Sequence, residues 1–280
     1  MELPNSSATR IDKLGQADIA YRDASSILTP AKGFMNSYDY TLNPYSGCAF
    51  GCTYCYAASF ARSKELKNSW GYWVQVKANA LEILKKFRKK GLGDKTIYMS
   101  SVTDPYQPIE KKLRLTRSLL QELLDFHQPR LVIQTRSPLV TDDIALLKKF
   151  KHLQVNMTIT TDSEKVRKVF EPLCPSNQTR LEAITRIQAA GINVCITITP
   201  LLPVESAENF AKGLLATGIK KFIIQPFHPD RGKFVAKTGD IAIGLIKEMD
   251  WNDEKYQQVL SVISKYIPEI GIGKQGFKPI

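Results

Sequence analysis

The sequence predicts an α/β protein with one mainly parallel sheet, on three observations. Strand-like and helix-like patterns alternate from residue 41 to residue 226. The helix-like stretches are amphipathic, as over 78–89, where Leu81, Leu84 and Phe87 share one side. Glycines stand where such stretches should stop, at Gly191 and Gly218. Repeated β-α units require parallel strands joined by right-handed crossovers. Six such units over 41–226 are too few for the eight-stranded barrel, which takes about 250 residues.

An extended stretch at 40–43 leads into a cysteine-rich loop, and 56–63 reads as a short helix. After the helix over 78–89 comes the second strand, 96–99, then a helix over 116–126 with Leu119, Leu120, Leu123 and Leu124 as its apolar residues. The third strand, 131–135, precedes a helix capped by Thr141 and ending near Lys149. The fourth strand, 154–160, is followed by helices over 163–169 and 177–190. The fifth, 193–199, exits at Pro200, and a helix over 205–217 precedes the sixth, 221–225. Residues 1–40 and 227–280 read as flanking segments around a core of 41–226, without an internal repeat or second domain.

The chain has 280 residues, 43% hydrophobic and 24% charged, enough for one large domain with a full core. Its five cysteines form no paired framework, which points to a reducing cytosol and not to a secreted disulfide scaffold. The N-terminal MELPNSSATRIDKLGQ contains acids and no apolar core, so no signal peptide is expected. No run of about 18 apolar residues predicts a membrane span. A cytoplasmic protein without a membrane partner is the expectation. The net charge is +12. Its local runs are 85–90, Lys111 with Lys112, and 148–151. They suit either solvated helix ends that complement the helix dipole or a nucleic-acid partner.

Cys48, Cys52 and Cys55 lie in NPYSGCAFGCTYCYA, with three residues between the first pair and two between the second. Three thiolates can hold three irons of a [4Fe–4S] cube and leave the fourth open to another ligand. A structural zinc site wants four ligands, usually as two pairs. Cys174 and Cys195 stand alone, and His127, His152 and His228 form no ligand-spaced pair.

This motif, with Tyr54 before its last cysteine, resembles that of radical S-adenosylmethionine enzymes. More narrowly, ILTPAKGF, NPYSGCAFGCTYCYA, TDPYQPIE, RLTRSLLQELL, QTRSPLVTDDIALL and EPLCPSNQTRLEAI resemble the spore photoproduct lyase-like branch. The resemblance implies an open (β/α)6 partial TIM barrel with its chemistry at the strand C-terminal ends. It implies a [4Fe–4S] cluster on Cys48, Cys52 and Cys55 that cleaves S-adenosyl-L-methionine to a 5′-deoxyadenosyl radical. A reductase, flavodoxin or ferredoxin would supply the electron, and a monomer is the expected state. By the same resemblance, Tyr54 lies against the adenine. Ser101 and Asp104 serve the methionine amino group, and Tyr106 and Gln107 join Asp104 in shaping the substrate pocket. Arg136, Thr158, Thr160 and Arg180 hold ribose and carboxylate, with Arg180 the better carboxylate candidate because a guanidinium forks onto a carboxylate. The alternatives are a Pro-bounded turn around Asp104, salt bridges for the arginines and strand packing for the threonines.

Two departures stand out. Phe50 replaces a histidine common in the branch, and Ser101 stands where the lyases carry a hydrogen-donating cysteine. A serine O–H bond is too strong for that role, which leaves the substrate open. DNA repair, and peptide or small-molecule modification, both remain. A non-enzymatic alternative is an iron–sulfur redox sensor that binds nucleic acid without cleaving S-adenosylmethionine.

Overall fold

The computed structural model describes residues 11–228 and 239–280. Residues 1–10, on which the expectation of no signal peptide partly rests, and 229–238, within the C-terminal flank, lie outside the described residues. Six parallel strands carry the molecule: β1 (Tyr40–Leu42), β2 (Thr96–Met99), β3 (Arg130–Thr135), β4 (Leu153–Thr158), β5 (Asn193–Leu201) and β6 (Phe222–Pro226). Each pairs in parallel with the next in chain order. The order never reverses, so right-handed crossovers place every connecting helix on one face. This is the expected (β/α)6 sheet. Leu28–Pro30 pairs antiparallel beyond β1, and Gly271–Ile272 pairs parallel beyond β6.

Alternation along the strands makes two layers. Ile97 and Met99, Leu131 and Ile133, Val155 and Met157, and Ile196 and Ile198 pack into the main core. The helices Ala80–Lys85 (α1), Leu115–Phe126 (α2), Asn177–Ala189 (α3) and Ala207–Leu215 (α4) bury Leu84, Leu119, Leu123, Ile184, Ile187, Phe210 and Leu214 in that same core. The opposite face carries Tyr98, Val132, Cys195 and Ile223, clustered with Met35, Tyr38 and Phe277. Toward the strand C-termini this inner face turns polar. The Gln134 amide donates to Thr158 at 2.7 Å and to Thr197 at 3.0 Å, and its carbonyl accepts from Tyr98 at 2.7 Å.

The flanks are bonded into the fold. Ala17–Arg22 pairs antiparallel with Lys13–Leu14 and in parallel with Trp73–Lys77, which also pairs antiparallel with Tyr45–Gly47, forming a second, four-stranded sheet. At the other end, Ser37 Oγ and the Tyr38 hydroxyl donate to the carbonyls of Phe277 and Lys278, both at 3.1 Å, and Arg130 Nε donates to that of Ile280. The C-terminal segment thereby floors the sheet's inner face.

Three local expectations are corrected. The helix over 78–89 is α-helical only across α1 and continues as a 3-10 turn, Lys86–Lys89; its like charges disfavour a further α-turn. Thr141 caps no helix. It lies within a 3-10 turn, Pro138–Asp143, whose cap is Ser137, and its hydroxyl donates to Pro138 O at 2.9 Å. β5 runs on through Pro200 to Leu201, with an irregularity in its register after Ile198. Gly191 and Gly218 do end helices, at φ +81° and +74°.

Phe277 is 6% exposed and packs edge-on against Phe34 at 5.4 Å and Tyr98 at 6.2 Å. Phe277→Ala is expected to cost about 3 kcal/mol of unfolding free energy. Urea titration should show a lowered midpoint with an unchanged slope.

Candidate functional site

The three motif cysteines occupy a loop between Tyr45–Gly47 and a 3-10 turn, Tyr56–Phe60. Glycine starts this loop by necessity. Gly47 has φ +77°, and a Cβ there would stand 2.5 Å from Trp73 O. Gly51, at φ +58°, lies so close to Gly71 that a Cβ on Gly71 would meet its Cα at 2.8 Å. Turn bonds from Gly51 N to Cys48 O (3.2 Å) and from Cys55 N to Cys52 O (3.1 Å) coil the segment. Cys48 and Cys52 are buried, and Cys55 is half-buried.

Residues after β2 brace this loop from below. Thr103 Oγ1 donates to Gly47 O at 2.7 Å, and Ala49 N donates to Gln107 Oε1 at 2.9 Å. Asp104 accepts from Tyr106 N (2.9 Å), Thr135 Oγ1 (2.7 Å) and Arg136 N (2.8 Å), which ties the exits of β2 and β3 together. Burial raises its pKa against those three bonds. Asp104, Tyr106 and Gln107, the group expected to shape a substrate pocket, are all buried and hydrogen-bond to segments that support the loop.

Sequence reasoning missed Glu171, the centre of the arrangement. It lies just past Glu164–Phe170, in a string quoted above, but no spacing marks it. This fully buried carboxylate accepts from the Tyr54 hydroxyl, from Thr160 Oγ1 at 3.1 Å and from Arg180 Nη2 at 2.5 Å. Arg136 Nε stands 3.5 Å from it, an ion-pair distance without a hydrogen bond. Burial opposes the charge of Glu171, but Arg180 and Arg136 outweigh it and bring its pKa down to about 2.

Arg180 thus grips a carboxylate, as expected of it, but the carboxylate is the protein's own. Its Nη1 and Nε donate to Thr158 O at 3.1 Å and Pro175 O at 2.9 Å, and its side chain is 0% exposed. Arg136 is 21% exposed. Its Nη2 donates to the Tyr54 hydroxyl at 3.0 Å, and its guanidinium lies 5.8 Å from the centre of that ring. Tyr54 also packs against Phe170 and Phe227. Thr158 shares its hydroxyl with Thr197 at 3.0 Å. Ser101 Oγ accepts a long bond from Asn43 at 3.5 Å, while the exposed Tyr56 donates its hydroxyl to Ser101 O. Ser100 holds φ +72°, and its buried Oγ has no partner among the described residues. The structure therefore gathers Tyr54, Arg136, Thr160 and Arg180 around Glu171 and places Asp104 beside them. Thr158 sits behind them, and Ser101 lies at the β2 exit.

Three thiols in one loop are the donor set that an iron–sulfur group takes. Cys48 and Cys55 both feel the charge of Cys52. Burial pushes Cys48 up strongly and Cys55 to about 12. The neighbouring Cys174 thiol, with help from Arg136, brings Cys52 down against its burial. Arg136 also favours the Cys55 thiolate, so a cation is in place to balance negative sulfur. Among the described residues no three His, Cys, Asp or Glu side chains converge as a set for one metal ion; a cube spreads its thiolate ligands over separate irons.

Residues 42–214 match the family model of the Radical SAM superfamily. The chain is 38% identical over 164 residues to the uncharacterized protein MJ0683 of Methanocaldococcus jannaschii, covering 59% of this chain and 61% of that protein. It is 26% identical to the Radical SAM Nalpha-GlyT isomerase of Pseudomonas phage M6, over 57% of this chain and 32% of the isomerase. A spore photoproduct lyase variant with bound AdoMet and dinucleoside spore photoproduct superposes with a TM-score of 0.62 at 17% identity, covering 91% of this chain and 81% of the lyase. That likeness is one of fold.

Glu171→Gln leaves Arg180 buried without its counter-charge and is expected to destabilise the fold by about 3–5 kcal/mol. The pH profile separates charge from shape. The Glu171 pKa is lowered from 4.5 to about 2, so its stabilisation is complete above pH 4.5 and is lost as pH falls toward 2. Denaturant titrations across that window should show a steeper acid loss in the unaltered protein than in Glu171→Gln.

Proposed function

Since the chain belongs to the Radical SAM superfamily, we propose that Cys48, Cys52 and Cys55 hold a [4Fe–4S] cluster and that the protein is an enzyme cleaving S-adenosylmethionine. The observation that carries this reading is the braced loop of three thiols beside a partly exposed, incompletely bonded arginine. Held by Cys48, Cys52 and Cys55, such a cluster would supply the one-electron chemistry for reductive cleavage of the sulfonium, giving a 5′-deoxyadenosyl radical for hydrogen abstraction from a substrate. An external reductase, flavodoxin or ferredoxin provides that electron.

The chain's own residues bind and orient. Arg136 is 21% exposed, and its side chain, whose Nε is buried toward Glu171, can turn its guanidinium edge to the cofactor carboxylate, whereas Arg180 is fully buried and committed to Glu171. This exchanges the two arginines' expected ranking: Arg136 takes the carboxylate, and Arg180 holds the carboxylate that positions Arg136. Ser101 can accept from the cofactor ammonium, which carries three donors. Tyr54, fixed at its hydroxyl by Glu171 and Arg136, borders the adenine. Asp104, Thr158 and Thr160 act from behind, through Arg136 N, Gln134 and Glu171 respectively.

Anaerobic reconstitution should load about four irons and four sulfides per chain. Cys52→Ala should abolish loading, and Cys195→Ala should leave it intact. The reduced, loaded protein should release 5′-deoxyadenosine from S-adenosylmethionine even without substrate. A fully loaded protein that releases none would favour the redox-sensor alternative. Because Ser101 offers no thiol hydrogen, little conversion of a dinucleoside spore photoproduct is expected; chromatography of the products checks this.

A further inference from the structure

Cys174 lies outside the motif, yet its Sγ stands 3.6 Å from Cys52 Sγ, across 122 residues of chain. Both are buried. Bonds on either side fix this contact. Cys174 N donates to Glu171 O at 3.1 Å, and Cys174 O accepts from Arg167 Nη1 at 2.9 Å. The next carbonyl, of Pro175, accepts from Arg180 Nε at 2.9 Å. On the cysteine-loop side, Thr53 N donates to Phe170 O at 2.9 Å, four residues before Cys174. The loop and the 170–175 turn are thus docked backbone to backbone, and the two thiols face each other as a result.

We propose that Cys174 is a positioning residue for the electron-transfer step: its thiol donates an S–H···S hydrogen bond to the Cys52 thiolate and raises the reduction potential of the group bound there. This inference rests on the cluster assignment above. Its direction follows from proton count. A metal-bound thiolate carries no proton, so the only proton in the pair belongs to Cys174. Reduction adds negative charge to the cluster and its sulfur ligands, and a donor aimed at one of those sulfurs stabilises the reduced form more than the oxidised form. Hydrogen bonds to sulfur are among the levers that set such potentials.

Alanine and serine at position 174 match closely in size and differ by one donor. In redox titrations followed by electron paramagnetic resonance, Cys174→Ala should weaken the reduction equilibrium about tenfold, a midpoint about 59 mV more negative. Cys174→Ser, which keeps a donor, should stay above the alanine variant. Cys195→Ala, altered on the floor of the sheet, should match the unaltered protein. If alanine prevents iron loading, Cys174→Val supplies the donor-free comparison. Coincident potentials for the serine and donor-free variants would overturn the inference. Failure of the unaltered protein to take up iron would instead overturn the cluster assignment, and iron analysis separates the two outcomes.

Discussion

Glu171 is a carboxylate carried wholly out of water, at a desolvation cost on the order of several kcal/mol. It is tolerable there because two guanidiniums and two hydroxyls converge on it. Those partners come from the cysteine loop, the exit of β3, the exit of β4 and the first turn of α3. One buried charge therefore fixes the relative positions of four segments that share no secondary structure. The segments cannot drift apart without leaving a bare carboxylate in the interior.

The second brace works through hydrogen bonds to neutral groups. Asp104 joins the exits of β2 and β3 through a hydroxyl and two backbone amides, while Thr103 and Gln107 pin the first half of the cysteine loop. With so many polar groups spent on one another, the site keeps few uncommitted donors. The roles proposed for Arg136 and Ser101 rest on this economy.

The parts legible in the sequence were those with a local signature. The three cysteines show in their spacing, the strands in their alternation, and Gly191 and Gly218 in helix ends that need positive φ. Features made by distant pairing left no such trace. Glu171 reaches Tyr54 over 117 positions, so neither residue marks the other. Cys174 looked isolated because its partner belongs to another loop. The small sheet was missed because Trp73–Lys77 finds neighbours in two separate segments, and Phe277 looked like part of an undistinguished tail. The chemistry of Arg180 marks it as a carboxylate binder, but no sequence pattern shows that Glu171 lies within its reach.

The unbroken order of the six strands has a consequence for the nascent chain. Each strand's partner is the one synthesised just before it, so pairing can proceed from β1 onward without waiting for distant segments. Each pairing nonetheless closes a whole crossover, as from Leu42 to Met99, and such non-local parallel contacts are slow to form. The mouth obeys a different schedule. Tyr54 leaves the ribosome early, but its carboxylate partner follows only after four strands are complete, and Arg180 later still. The cysteines thus remain unsheltered through much of synthesis, and their loop is sealed only when the fourth β-α unit docks.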